Sequence, residues 1–329
     1  MKTKLVLVTL FLLAIGITSA IAGSERRIGT AGAQELLLPI GSRGTALGGA
    51  VVSNVSGVEA VLYNPAGLAS LEGTEAMFSH LGYFADIEVN FGGVATAIEG
   101  FGTLAVAAKV TSIGNMEETT NLYPDGTGRT FNPTLAVLGV SYANQLTANV
   151  GIGATAHFLS ESIFEVSATG VAFDIGFEYD PRWKGVKLGL VMKNYGPSMR
   201  FSGKGFERDL DNRKASPNSA AFDLPSYFAM GLSYNIFEGE KNKAVLSGNW
   251  RSNALSQDLW QGGAEYSYDD KYFLRAGYNY SQQNDYVYGL SLGAGLTVPL
   301  GGTRLTFEYA WTQTDIFSDN QFFTLRMNF

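Results

Sequence analysis

The stretch GTRLTFEYAWTQ, residues 302–313, places Leu305, Phe307, Tyr309 and Trp311 on one face and Arg304, Thr306, Glu308 and Ala310 on the other. A period of two belongs to a β-strand with one apolar and one polar side. The same alternation sets Tyr272, Leu274, Ala276, Tyr278 and Tyr280 against Phe273, Arg275, Gly277 and Asn279. In residues 286–296 the even positions are Tyr, Tyr, Leu, Leu, Ala and Leu, while the odd ones are mostly Gly and Ser. From Thr74 onward the alternation template finds about 14 such segments. They fall near 74–82, 86–97, 101–111, 131–142, 147–158, 166–179, 185–194, 223–236, 242–251, 258–268, 271–281, 286–298, 302–312 and 320–329.

The connections between segments are of two kinds. Those at 99–100, 144–145, 180–184, 238–241, 269–270 and 299–301 are short; those at 112–130, 195–222, 252–257 and 312–319 are longer, and the two kinds mostly alternate. Short turns at one end and longer loops at the other are the pattern of an even-stranded outer-membrane barrel. The expected fold is all-β: an antiparallel transmembrane outer-membrane β-barrel of about 14 strands with a short helical N-terminal plug. A soluble sandwich or soluble barrel is the alternative, and it would bury the same apolar faces against each other.

Leu, Val, Phe, Tyr and Trp make up the face that would meet lipid. The lumen face collects Lys109, His157, Asp174, Glu178, Lys187, Lys193, Arg251, Glu265, Arg275, Arg304, Glu308 and Arg326. Tyr179, Trp250, Trp260, Tyr266, Tyr268, Tyr309 and Trp311 suit aromatic girdles near strand ends. The final segment alternates Phe323, Leu325, Met327 and Phe329. A last strand ending in Phe resembles the signal by which Gram-negative bacteria recognise barrel substrates, so the expected location is the outer membrane.

Residues 1–22 read as a secretory signal peptide: Lys2 and Lys4, an apolar run over 5–17, and the small-x-small site Ala20-Ile21-Ala22. Without Lys2 and Lys4 the chain keeps 21 basic against 30 acidic residues and has no basic tract interleaved with aromatics, so nucleic acid is not an expected partner. It has no cysteine, which excludes disulfides, thiolate catalysis and Cys-based metal sites. The domain reading is a signal peptide over 1–22, a plug or hatch over 23–73 and a barrel over 74–329.

Within 23–73 two pieces stand out. Residues 41–54 are rich in Gly, Ala and Val with a helical look from Thr45. Residues 56–71, SGVEAVLYNPAGLASL, carry the capping-box spacing Ser56 to Glu59, and Pro65 forces Asn64 out of the helix. Neither piece makes a domain. The lumen or periplasmic mouth of a wide barrel is the expected place for both.

The block IGSRGTALGGAVVSNVSGVEAVLYNPAGLASL, residues 40–71, resembles the N-terminal block of the PorV/PorQ family, itself similar to the FadL-type fatty-acid transporters. The matching residues are Arg43, the pair Gly48-Gly49, and Asn64, Pro65, Ala66, Gly67 and Leu68. In FadL-type proteins the Asn-Pro-Ala motif belongs to a hatch that occludes a 14-stranded barrel. The resemblance therefore implies Arg43, Gly48, Gly49, Asn64, Pro65, Ala66 and Gly67 as the candidate ligand or hatch residues. It separates the superfamily better than its subfamilies.

Enzymatic constellations are weak. Gly289, Ser291 and Gly293 match a nucleophile-elbow pattern, yet the elbow needs a strand-turn-helix and these residues alternate within a strand. Asp174 and Glu178, four residues apart along a strand, are too far apart for a carboxylate pair. His80 and His157 are the only histidines, so no metal site and no cofactor are expected. The glycine doublets 92–93 and 262–263 lie in strands and do not open helices, so they do not support a phosphate loop. The segment 196–221, with Arg200, Lys204, Glu207, Arg208, Asp209, Asp211, Arg213 and Lys214, reads as a solvated loop or a contact surface for cargo.

The family resemblance implies a non-enzymatic shuttle or docking component for type IX-like protein secretion, with secreted cargo or secretion-machinery subunits as partners. The alternative is a FadL-like channel for hydrophobic small molecules. A channel predicts an apolar pocket between the hatch (Leu62, Leu68, Leu71) and the wall, with a lateral opening or hatch kink. A shuttle predicts an occluded lumen and an apolar groove among the outer loops.

Overall fold

The structure, a computed structural model, describes residues 29–210, 213–215, 217–281, 287–315 and 317–329. The signal peptide expected over 1–22 and Asp211 of the long loop lie outside the described residues. The wall consists of β1 (Thr74–Gly82), β2 (Glu88–Ile98), β3 (Gly102–Ser112), β4 (Thr134–Thr147), β5 (Val150–Ile163), β6 (Val166–Tyr179) and β7 (Val186–Tyr195), followed by β8 (Tyr227–Glu238), β9 (Asn242–Asn253), β10 (Leu259–Tyr268), β11 (Tyr272–Ser281), β12 (Tyr288–Leu300), β13 (Thr303–Thr314) and β14 (Asn320–Asn328). Each strand pairs antiparallel with its sequence neighbours. The ring closes where β1 pairs β14, from Glu75↔Asn328 to Gly82↔Gln321. This is a 14-stranded closed antiparallel barrel with no open edge.

All fourteen alternating segments are strands, and β1 starts at Thr74. The largest offset is at β4 and β5. Asn144 and Gln145, expected as a turn, remain in the ladder opposite Ile152 and Gly151, and a bulge between Gln145 and Thr147 delays the turn to 148–149. Short turns at 99–101, 148–149, 180–185, 239–241, 269–271 and 301–302 mark one end of the barrel. Longer connections such as 113–133 and 196–226 mark the other, with the two-residue turn 164–165 as the exception.

Alternation decides which side chains meet which solvent. Outward positions such as Val106, Val140, Phe158, Ile175, Leu274 and Phe307 are exposed, whereas inward Ala105, Ser141, Thr155, Asp174, Arg275 and Glu308 are buried. An apolar belt around a closed barrel is far larger than a water-facing protein surface tolerates and has lipid as its solvent. No helix among the described residues is long and apolar enough to cross a membrane; the strands do so.

The segment 29–73 runs inside this wall. It contains the 3-10 turn Gln34–Leu36, the helix α1 (Ser42–Ala46), the 3-10 turn Gly57–Glu59, the single helical turn α2 (Ala60–Tyr63) and the 3-10 stretch Pro65–Ser70. The helical content is less than the sequence pattern suggests: the chain forms α1 before Thr45's expected helix and then turns through 47–54. Positive φ at Gly48 (64°) and Gly49 (80°) makes that reversal possible. Ala46, Leu47, Val51, Val55, Val58 and Leu68 are fully buried against Met77, Phe91, Ala95 and Phe322 of the wall. The hatch therefore has no separate core. It shares one with the barrel.

The segment does not stay at the short-turn end. Gly32 N donates to Asp223 O at 3.1 Å, so the arm 29–36 reaches the loop 196–226 at the far end of the barrel. The chain then descends through 37–58 and leaves at Gly73 beside Phe329, where Phe329 N donates to Thr74 O at 2.9 Å.

Candidate functional site

Alternation along β10, β11, β13 and β14 turns Glu265, Arg275, Glu308 and Arg326 inward at neighbouring heights. Two hatch residues complete the circuit. Arg43 Nε donates to Glu265 Oε2 at 3.0 Å and its Nη2 to Oε1 at 3.3 Å, a bidentate pair. Arg275 Nε donates to the same Glu265 Oε2 at 2.6 Å. Glu308 takes Arg275 Nη1 at 2.9 Å and Arg326 Nε at 3.1 Å as ion pairs without aligned N–H groups. Arg326 Nη2 donates to Glu59 Oε2 at 2.5 Å, and Arg43 Nη1 lies 3.9 Å from that oxygen. Three arginines and three glutamates thus alternate in a closed ring that latches hatch to wall.

The spacing Ser56 to Glu59 predicts a capping box that the structure does not form. Ser56 makes no side-chain cap; Glu59 Oε2 goes to Arg326 and its Oε1 accepts from Gly44 N at 2.8 Å. Two cations in a buried site outweigh one orphan amide that water could satisfy. Burial pushes the Glu59 carboxyl up, but Arg326 and Arg43 outweigh it and hold it below the ordinary 4.5. Burial likewise opposes the Arg43 charge, and Glu265 and Glu59 more than restore it.

A carboxyl with a lowered folded pKa contributes stability above its unfolded value, lost as pH falls through the folded one. Protection of the hatch from protease is expected to hold from about pH 8 to about pH 5, and to fail only below the ordinary glutamate range. Loss of protection near pH 6.5, about the free histidine value, would contradict this latch.

The remaining residues of the N-terminal block also face the wall. Gln261 Nε2 donates to Gly48 O at 2.7 Å, and Asn249 Nδ2 donates to Gly49 O at 2.7 Å. A Cβ at Gly48 would stand 3.0 Å from the Tyr278 backbone. Asn64 Nδ2 donates to Val52 O at 2.7 Å and to Phe177 O at 3.2 Å, while its Oδ1 accepts from Ala66 N at 3.1 Å. Asn64 is extended, as its position before Pro65 requires, and its side-chain oxygen caps the following 3-10 stretch by accepting from the free Ala66 N–H. The Pro65 carbonyl rests on Gly153 of β5, and Gly67 fits under the Val55 carbonyl, with no room at either glycine for a Cβ. Of Arg43, Gly48, Gly49, Asn64, Pro65, Ala66 and Gly67, the structure brings Gly48 and Gly49 to the lining of the lumen cavity, while Arg43 and Asn64 bond to the wall.

A second latch holds α2. Lys193 Nζ donates to Val61 O at 3.2 Å and Leu62 O at 2.8 Å, the carbonyls at the end of that turn, and lies 2.9 Å from Asp174 Oδ2. His157 Nε2 contacts the same oxygen at 2.7 Å, and Asn194 N donates to Asp174 Oδ1 at 2.8 Å. The β6–β7 register shifts between Phe173 and Ile175, with Asn194 at φ 59°. This bulge turns both Lys193 and Asn194 inward, which strict alternation could not.

Between these latches and the loops lies a cavity of about 150 Å³. Its hatch side includes Leu36, Leu38, Ile40, Val61, Leu62 and Tyr63; its wall side includes Phe91, Val137, Tyr227 and Leu259, with Lys109, His157, Lys193 and Arg251 as the basic groups. Leu62 lines it as the channel reading requires, whereas Leu68 and Leu71 lie elsewhere. Lys109 Nζ donates to Leu38 O at 3.2 Å and so ties the arm to β3. The pairing of β1 to β5 is unbroken apart from the bulge at Gln145, so these strands show no lateral opening. Ser291, the centre of the elbow-like motif, sits within β12 and contacts Thr312 Oγ1 at 3.1 Å. Among the described residues no group of three or more acidic or histidine side chains could hold a metal.

Sequence reasoning placed Arg251, Lys109 and Lys193 on the lumen face but not Tyr227 or the 36–40 arm, because nothing local in those stretches signals a cavity. No protein-family model and no curated protein matches the chain. Solved structures do. The monoaromatic hydrocarbon channel CymD superposes with a TM-score of 0.58 at 14% identity, over 89% of this chain and 98% of that one. A Pseudomonas aeruginosa FadL homologue gives 0.55 at 15% identity, over 89% and 98%. The Pseudomonas putida toluene transporter TodX gives 0.54 at 14%, over 86% and 96%. At this identity the likeness is one of architecture, and the chain shares the barrel fold of these channels.

Proposed function

We propose that this protein is a non-enzymatic outer-membrane channel of FadL type, in which the hatch shifts to pass a hydrophobic small molecule between its lumen cavity and the short-turn end. The observation that carries the reading is the cavity between Leu36, Val61 and Leu62 of the hatch and the inner wall. Its partners are the surrounding outer-membrane lipid and the transported molecule. The fold likeness to hydrocarbon channels supports this reading over the type IX shuttle. The shuttle rests on the N-terminal block, and the comparisons add nothing for secretion machinery or cargo proteins.

The test is uptake of labelled toluene by Gram-negative cells producing the protein. Faster uptake than in cells carrying the empty vector is expected, and equal rates would refute the channel.

A further inference from the structure

The cavity is asymmetric in charge. Lys109, His157, Lys193 and Arg251 line it, and no carboxylate does. Lys193 is matched by Asp174 just behind it. Arg251 forms no ion pair within the described residues. Its Nε donates to Asn253 Oδ1 at 2.8 Å, and Asn253 is itself fixed by donating to Gln257 O at 2.6 Å. Its guanidinium carbon stands 3.7 Å from the centre of the Tyr227 ring. The planar group is held by one nitrogen and one face, while its two terminal nitrogens donate to no described residue.

A fixed guanidinium fork with both outer nitrogens open matches a carboxylate in two-point geometry. Around it the lining turns apolar: Leu36, Leu38 and Leu62 from the hatch, Phe91 and Leu259 from the wall. The cavity of about 150 Å³ is the size that takes a benzene ring. Charge, geometry and volume together describe a ligand with one compact apolar body and one acidic group.

Resting on the channel reading above, we propose that the lumen cavity selects compact apolar carboxylic acids of single-ring size, with Arg251, stacked on Tyr227, as the residue that receives the carboxylate. Lys109, across the cavity, is engaged by Leu38 O and faced by the Glu35 carboxylate, which leaves Arg251 as the open cation among the described lining residues. Neutral hydrocarbons of the same size enter but lack this anchor.

The experiment is calorimetric titration of the full chain in detergent with benzoate, toluene and decanoate. Benzoate is expected to bind at least about tenfold more tightly than toluene, the effect of one charge-assisted hydrogen-bonded pair. Arg251→Gln keeps a polar side chain within reach of Asn253 and is expected to abolish that preference; Arg251→Lys, with charge but no fork, should fall between. Retained heat-modifiability on gels shows that each variant is a folded barrel. Benzoate affinity unchanged in Arg251→Gln would overturn the proposal, as would decanoate binding tenfold more tightly than benzoate. Toluene binding without benzoate binding leaves the channel standing and the acid selectivity refuted; binding of neither refutes both.

Discussion

Glu59→Gln is expected to release the hatch while leaving the barrel closed. Glu59 is fully buried and faces two arginines of the ionic ring, Arg326 and Arg43. Glutamine retains a carbonyl for Gly44 N but removes the negative charge, leaving three cations against two anions in a water-poor site. Removing one partner from a buried ion network costs about 3–5 kcal/mol, because the opposite charge is stranded. The barrel keeps its fourteen-strand ladder, so the loss falls on hatch seating. In detergent, protease should cut within 29–73 of the variant and spare the wild type, with heat-modifiability retained in both. Converting Glu59 and Arg326 together to Gln and Met should restore part of the protection, since the stranded charge is then gone. Equal protection in wild type and Glu59→Gln would show that the ring does not hold the hatch.

The doublet Gly262-Gly263 gives a second large effect with its own control. Gly262 faces outward, and a Cβ there meets nothing within 4 Å. Gly263 faces inward, and a Cβ there would stand 2.7 Å from Leu47 O of the hatch. Valine is favoured in strands, so Gly262→Val should leave stability unchanged or raise it by up to about 1 kcal/mol. Gly263→Val should cost about 1–3 kcal/mol or more, because hatch backbone cannot yield as a flexible side chain would. The doublet 92–93 has the same character, with open space at Gly92 and Val58 Cγ1 at 2.9 Å from a Cβ on Gly93. Melting each pair of variants in detergent checks this; a Gly263→Val melt at the wild-type temperature would contradict the close approach.

The wall was legible in the sequence because a barrel strand states its two solvents at every other residue. Leu305, Phe307, Tyr309 and Trp311 against Thr306, Glu308 and Ala310 needed no partner to be read. The hatch was legible as irregular and glycine-rich, and Asn64-Pro65 fixed its break. What it touches was not legible. Glu265 lies 222 residues from Arg43 and Arg326 lies 267 from Glu59, so the ring exists only once the wall curves round. The local spacing of Glu59 to Ser56 satisfies a capping box, and local rules cannot see two arginines arriving from β14 and α1. The place of the arm 29–36 is not legible for a similar reason: its contact with Asp223 depends on a long loop folding back over the lumen.

In the proposed channel, transport requires the hatch to move against the wall. The chain has no cysteine, so an introduced pair is unambiguous. Ser42 Oγ and Thr324 Oγ1 are 2.8 Å apart, one on the hatch and one on β14, and side chains so close suit the short reach of a disulfide. The measurement is uptake of labelled toluene and benzoate by cells producing Ser42→Cys/Thr324→Cys, before and after reduction. Uptake is expected at the empty-vector rate while the disulfide is closed, with recovery towards the wild-type rate once it is reduced. Uptake at the wild-type rate with the disulfide shown to be closed would contradict a moving hatch.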